Sequence, residues 1–251
     1  MTTVRDVFGY IDSFAPFGAA EKWDNVGLLL GDENAAVTGI VAALDLTADI
    51  LNEAAGLGAN LVVTHHPVIF DPLKRLESSS VVYKAVRLGV HVISAHTSLD
   101  VAPEGVNQAL AETLELRDPA PLCEDGLGRI GLLPYAMTAR QLAGYVKERL
   151  GCKGLRFYEG PGQISCVALC GGAGGSLLEE ACHQGAQALI TADVKHSVFL
   201  EAKNRNMTVI DGGHFATENV IIPRLANRLC HRFPQLPVTV ASANMEVTEW
   251  L

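Results

Sequence analysis

Paired thiols, basic blocks and long apolar runs are all missing from this chain. The six cysteines, Cys123, Cys152, Cys166, Cys170, Cys182 and Cys230, never form a Cys-x-x-Cys pair. That argues against a structural zinc knot and leaves reduced, mostly buried thiols. No run of lysine or arginine exceeds a pair, and the formal net charge is −9. A protein that coats DNA or RNA needs a positive face, so no nucleic-acid partner is expected. A nucleotide substrate stays open, because a bound metal brings its own positive charge. No apolar stretch approaches the ~20 residues of a membrane span. Met1 to Asp6 holds no apolar signal core and neither end carries a lipidation motif, so no membrane partner and a cytoplasmic location are expected. Aromatic residues make up only 6% of the 251 residues against 49% hydrophobic overall, so the core must be mostly aliphatic.

What is present is an alternation of buried strands and amphipathic helices. Residues 3–14 carry apolar side chains at 4, 7, 8, 11 and 14, a helical stripe with Thr2 or Thr3 as its cap. A polar loop from Glu21 runs into a short strand before Asp32. Gly39–Leu46, Asn60–Val63 and Val90–Ala95 read as buried strands. Helices follow each of them: Thr47 to Leu57, Ser78 to Leu88, and Gly105 to Leu116. Asp118-Pro119-Ala120-Pro121, through Gly126 and Gly128, is the best linker candidate. Beyond it the rhythm resumes, with strands at 129–133, 155–158, 164–170, 188–191 and 207–210. Helices lie at 138–150, from the 171–175 glycine cluster to Gly185, at 194–204 and at 216–233, where Pro223 marks a kink or the true first turn. Residues 238–241 make a possible last strand. This order predicts an α/β fold of mostly parallel sheets flanked by helices. Two lobes are expected, 1–126 and 127–251, with the whole chain one unit and interleaving of the lobes left open.

The halves also repeat. Glu53-Ala54, Gly58-Ala59 and Thr64 match Glu180-Ala181, Gly185-Ala186 and Thr191, each at an offset of 127. Five identities in register, with the same order of elements, indicate duplication. Function in such sheets gathers beyond the carboxyl ends of strands. If the lobes face each other, His65, His66, Asp100, His214 and Glu218 converge in the cleft between them.

Four short pieces carry the chemistry: Thr64-His65-His66-Pro67, His96-Thr97-Ser98-Leu99-Asp100, Asp211-Gly212-Gly213-His214, and Glu218. Imidazole and carboxylate without thiolate suit zinc, iron, manganese or nickel. Adjacent histidines on extended backbone point to opposite sides, so His65 and His66 reach two metals or bind one through a turn. His214 and Glu218 have the i, i+4 spacing of one helical face. Asp100 reads either as a ligand or as a cap for the helix after Pro103, and His96 as an acid/base group or a core histidine. Gly171 to Gly175 resembles a phosphate cradle, Gly174 included, although close packing of helix on strand explains it equally. Asp193, Lys195 and His196 either line the cleft or serve as a helix cap and solvated side chains.

Trp23-Asp24-Asn25-Val26-Gly27-Leu28, Thr64-His65-His66-Pro67, His96-Thr97-Ser98-Leu99-Asp100 and Asp211-Gly212-Gly213-His214-Phe215-Ala216-Thr217-Glu218 together resemble the GTP cyclohydrolase 1 type 2 homolog family, also called Nif-three-like. The four motifs span residues 21 to 218, in the short form that lacks an inserted domain. The resemblance implies two similar α/β lobes with a dinuclear metal centre between them and a ring-shaped homohexamer. It makes His65, His66, Asp100, His214 and Glu218 the ligands of two divalent metal ions per chain, with Glu218 bridging.

By its name the family opens the imidazole ring of guanine in GTP, which makes a metal-dependent hydrolase the leading expectation. His96 then moves protons, and Phe215, Gly174, Lys195 and His196 contact substrate. The alternatives are a phosphoesterase or amidohydrolase acting on another small molecule, and a non-enzymatic metal-binding scaffold.

Overall fold

Hydroxyl side chains set where the helices begin. Thr3, Thr47, Ser80 and Thr138 each accept the backbone N–H three residues on, and Thr3 and Thr138 complete capping boxes with Asp6 and Gln141. The computed structural model describes residues 1–250. Its first part runs α1 (Val4–Phe14), β1 (Gly27–Leu30), β2 (Ile40–Ala43), α2 (Ala48–Gly56), β3 (Leu61–Thr64), α3 (Val81–Leu88), β4 (His91–Ser94), α4 (Thr97–Val101) and α5 (Val106–Thr113). Then come β5 (Arg117–Pro121), β6 (Arg129–Met137), α6 (Ala139–Leu150), β7 (Arg156–Tyr158), β8 (Ile164–Leu169) and α7 (Leu178–His183). The chain closes with β9 (Ala188–Thr191), α8 (His196–Arg205), β10 (Thr208–Asp211), α9 (His214–Glu218), α10 (Ile222–Arg232) and β11 (Val238–Val240). Among the described residues no helix is long and apolar enough to cross a membrane.

Two compact units result. One is Met1–Ala102 with Ile222–Met245, and the other is Pro103–Ile221 with residues 246–250. This differs from a division at 126 and 127, for two physical reasons. The proline-rich stretch expected to be a linker is β5, an edge strand paired antiparallel with β6. Prolines cannot donate to a ladder and are tolerated at such an edge. Meanwhile α10 and β11 complete the first unit: β11 pairs in parallel with β2, Val238 opposite Ile40 and Val240 opposite Ala42. Behind β11, Glu53 accepts the N–H groups of Ser242 and Ala243 at 2.7 and 3.0 Å, and Asn244 accepts that of Leu44 at 2.8 Å.

In the first unit the sheet order is β1-β4-β3-β2-β11, all parallel except β1. Its aliphatic core includes Val41, Ile50, Leu51, Val62, Ala85 and Val92. In the second unit the order is β5-β6-β8-β9-β10-β7. Only β8-β9-β10 are parallel there, and the flanking pairs are antiparallel, so this sheet is mixed rather than mostly parallel.

The duplication is visible within each unit. The segments β2-α2-β3-α3-β4 and β8-α7-β9-α8-β10 each lay three parallel strands side by side in chain order. Thr64 and Thr191 end the equivalent middle strands, and Gly58 and Gly185 stop the preceding helices with φ of 68° and 83°. The helix expected over 216–233 is instead α9, a 3-10 turn at Asn219–Ile221, and α10. Pro223 sits in the first turn of α10, where a missing N–H breaks no hydrogen bond.

Candidate metal centre

In the first unit, β3 and β4 are parallel neighbours with Thr64 opposite Ser94, and their hydroxyls lie 2.8 Å apart. Both strands end at this level. Their next residues, His65-His66 and Ala95-His96, therefore emerge side by side at the carboxyl edge of the sheet. Ring centroids are 5.0 Å apart for His65–His66, 5.3 Å for His65–His96 and 5.5 Å for His66–His96. One nitrogen from each of the three falls within 4.8 Å of the others, a group that could hold a metal ion.

Each of these rings is held from behind. His65 is fully buried and donates its Nδ1–H to the carbonyl of Ala95 at 2.9 Å. His66 donates its Nδ1–H to Asp45 at 2.8 Å, and His96 donates its own to Asp24 at 2.9 Å. Burial works against ionisation of Asp24, but hydrogen bonds from Thr97 and His96 and the charge of His96 outweigh it, holding the carboxyl below its usual range. Burial and the neighbouring His65 lower the pKa of His96, against the pull of Asp24. Asp100 lies one helical turn beyond His96, with Oδ1 3.6 Å from Nε2 of His65. Asp100 is not the cap of the next helix: the N-cap of α5 is Gly105, without a side-chain bond.

In the second unit, β10 ends at Asp211, which accepts the N–H groups of Val194 and Gly213 and pairs with Arg156. Gly213, at φ 85°, turns the chain into α9. His214 then donates its Nδ1–H to Asp193 at 2.7 Å, while its Nε2 lies 3.0 Å from Glu218 Oε2. The hydrogen bond with Glu218 is the main reason the His214 pKa rises to about 9; burial opposes it, and the charge of Glu218 and the bond to Asp193 add to it.

The glycine cluster serves this pair. A Cβ on Gly172 would overlap Glu218 Oε1, and one on Gly171 would stand 3.2 Å from Glu218 Cγ. The N–H groups of Gly171, Gly172 and Gly174 are already bonded to Asn107, Thr217 and Thr191, at 2.9, 3.1 and 2.8 Å. The cluster is therefore a packing cradle for Glu218 rather than a phosphate site, and the N–H of Gly174 is turned inward. A Cβ on Gly174 would collide with Cys170 and Thr191.

The remaining candidates scatter. Lys195 and His196 are exposed where α8 begins, and the N-cap there is Lys195, not Asp193. Asp193 adopts a left-handed φ of 49° and supports His214. Phe215 is half-buried beside His214. Sequence reasoning gave no role to Asp45, placed Asp24 only within a family motif, and read Gly172 as part of a phosphate cradle. The three carboxylates that hold His66, His96 and His214 lie 21, 72 and 21 residues from them, separations that no local spacing reveals. The signals available were the place of Asp24 in the motif beginning at Trp23 and that of Asp193 just past the strand at 188–191.

Comparison with known proteins gives the lineage. Residues 2–248 match the family described as Duf34/NIF3 (NGG1p interacting factor 3). A "GTP cyclohydrolase 1 type 2 homolog" of Clostridium acetobutylicum is 31% identical, covering 97% of both chains. One of Streptomyces coelicolor is 34% identical over 87% of this chain and 82% of its own. A crystal structure of a Staphylococcus aureus protein superposes with a TM-score of 0.92 at 28% identity, covering 99% of each chain. The chain belongs to the DUF34/NIF3 family.

Proposed function

We propose that the protein is a dinuclear metal-dependent hydrolase that opens the imidazole ring of GTP and works as a homohexamer, in which His65, His66, Asp100, His214 and Glu218 would hold two divalent ions. One observation carries the metal-binding part. Every histidine concerned gives its Nδ1–H to a carbonyl or carboxylate: Ala95 for His65, Asp45 for His66, Asp193 for His214. That arrangement fixes the tautomer and orients Nε2 as the ligand atom, as is usual for metal-bound imidazole. The donor set fits the ions expected, since nitrogen and oxygen donors without thiolate suit zinc, iron, manganese or nickel. The spacing fits as well: His214 Nε2 to Glu218 Oε2 is 3.0 Å and His65 Nε2 to Asp100 Oδ1 is 3.6 Å. Two donors that each stand about 2.0–2.2 Å from one ion keep that sort of distance.

When bound, such ions supply Lewis-acid polarisation and a more acidic water. The chain's own groups do the rest. His96, oriented by Asp24 and with its pKa depressed by burial, presents Nε2 as a neutral base that takes a proton from attacking water and returns it to the leaving nitrogen twice: one water breaks the first C8–N bond and opens the ring to a formamide, and a second water breaks the remaining C8–N bond and releases formate. Phe215 flanks the site beside His214. Lys195 and His196, exposed at the start of α8, are left for the triphosphate.

The test is purified protein loaded with zinc, iron or manganese and supplied with GTP. Formate release, a change in ultraviolet absorbance and two ions per chain are expected, with formate lost but metal kept in His96→Gln. Absence of formate under every metal overturns the reaction, and phosphate release in its place points to a phosphoesterase.

A further inference from the structure

Large aromatic side chains left in water need a reason, and loops beside a site are where such residues commonly serve ligands. Among the described residues of the first unit, Trp23 and Phe70 are the exposed aromatics, at 59% and 50%. Both border the histidine cluster. Their ring centroids lie 5.8 Å apart at 45°, and 6.1 and 6.3 Å from the ring of His96 at 73° and 70°. The two contacts with His96 are edge contacts and the one between Trp23 and Phe70 is tilted, so no ring of the three lies stacked upon another.

The two loops that carry them are tied to the site and to each other. Asp24, next to Trp23, holds His96, and Asn25 donates its side-chain N–H to the carbonyl of Ile69 at 2.6 Å, beside Phe70. Glu21 donates its N–H to Thr97 Oγ1 at 2.9 Å, on the helix that leads to Asp100. The loops that carry the rings are thus tied to the site before any ligand arrives, which lowers the entropy cost of binding.

We propose that Trp23 and Phe70 form a stacking platform beside His96 for the planar heteroaromatic ring of the substrate, a purine base being the class that fits. This rests on the nucleotide-hydrolase reading, but it is a statement about binding and is tested without turnover. Stacking on aromatic side chains tolerates any base, so the platform provides affinity for a ring rather than a choice among bases.

Trp23 and Trp250 are the two tryptophans of the chain. In a Trp250→Phe background, guanosine monophosphate should quench the remaining fluorescence saturably, and ribose 5-phosphate should not. Trp23→Leu and Phe70→Ala should each weaken guanosine monophosphate binding by calorimetry about tenfold or more, with metal content per chain unchanged, and Phe70→Tyr should restore it. Absence of quenching, or unaltered affinity in both variants, overturns the proposal. So does a change of oligomeric mass without a change of affinity, which would assign the rings to contact between copies. Quenching without formate release would retire the hydrolytic reaction and keep the platform.

Discussion

Gly172 makes room for the carboxylate of Glu218: a methyl group on its Cα would overlap Oε1, and the residue holds a left-handed φ of 61°. A glycine that looked like part of a phosphate loop is fixed by what a distant glutamate must fit against. Gly172→Ala is expected to displace Glu218, lower metal content per chain, and destabilise the fold by about 1–3 kcal/mol through backbone strain. Gly175→Ala is the control, since its Cβ would meet only Val198 at an ordinary 3.5 Å. Elemental analysis and thermal melts of both variants check this; equal metal content in the two would remove the cradle role.

Asp45 and Asp193 support His66 and His214 from partly exposed positions, 54% and 58%. Replacing Asp45 with alanine, or Asp193 with glycine, which suits its left-handed φ of 49°, should therefore spare the fold yet weaken metal binding roughly 10–100-fold, the usual effect of losing the group that orients a histidine ligand. Chelator competition measures the affinity. An unchanged constant in both variants would mean that these carboxylates do not orient ligands.

The His214 pKa, raised to about 9 in the metal-free chain, gives a signed pH dependence. A histidine whose folded pKa lies above its unfolded value adds stability in full below about 6.5, and that contribution fades as pH rises through the folded value. Metal must displace the same proton, so metal affinity should tighten as pH rises toward 9. Imidazole NMR titration of metal-free protein checks it. Glu218→Gln should bring the His214 value down, since the bond to Glu218 is its largest cause. Titration of wild-type His214 near 6.5 would contradict the assignment.

A chain of residues 1–126 should fail to fold cooperatively. It lacks α10, whose Ile222, Leu225, Ala226 and Leu229 are buried, and β11, which pairs with β2. It also strands residues 103–126 away from their own unit. A chain joining residues 1–102 to 222–245 by a short linker should fold instead. Denaturant curves followed by circular dichroism decide between them, and a sharp transition for 1–126 would reverse the expectation.

Local chemistry made most elements readable in advance. Thr3 and Thr47 are helix caps by residue type, and Gly89 is a left-handed helix stop. The continuous apolar runs at 40–43, 61–64 and 188–191 are strands because both faces of those sheets are covered. The stretch 118–121 was misleading, because proline marks an edge strand as readily as a linker and only a pairing partner tells which. The destination of α10 was hidden for a similar reason: an apolar stripe shows that a helix packs, not which sheet it packs on.

The candidate site divides in the same way. By itself the sequence determined the candidate histidines and carboxylates, their place just past strand ends, and the duplicated strand-helix units that carry them, since residue identity, period and repeat are all local properties. Only the tertiary structure decided that Asp45, Asp24 and Asp193 hold the imidazoles, and that a glycine cluster shelters Glu218 rather than a phosphate. Those relationships join residues far apart in the chain, and proximity of that kind exists only once the backbone has folded.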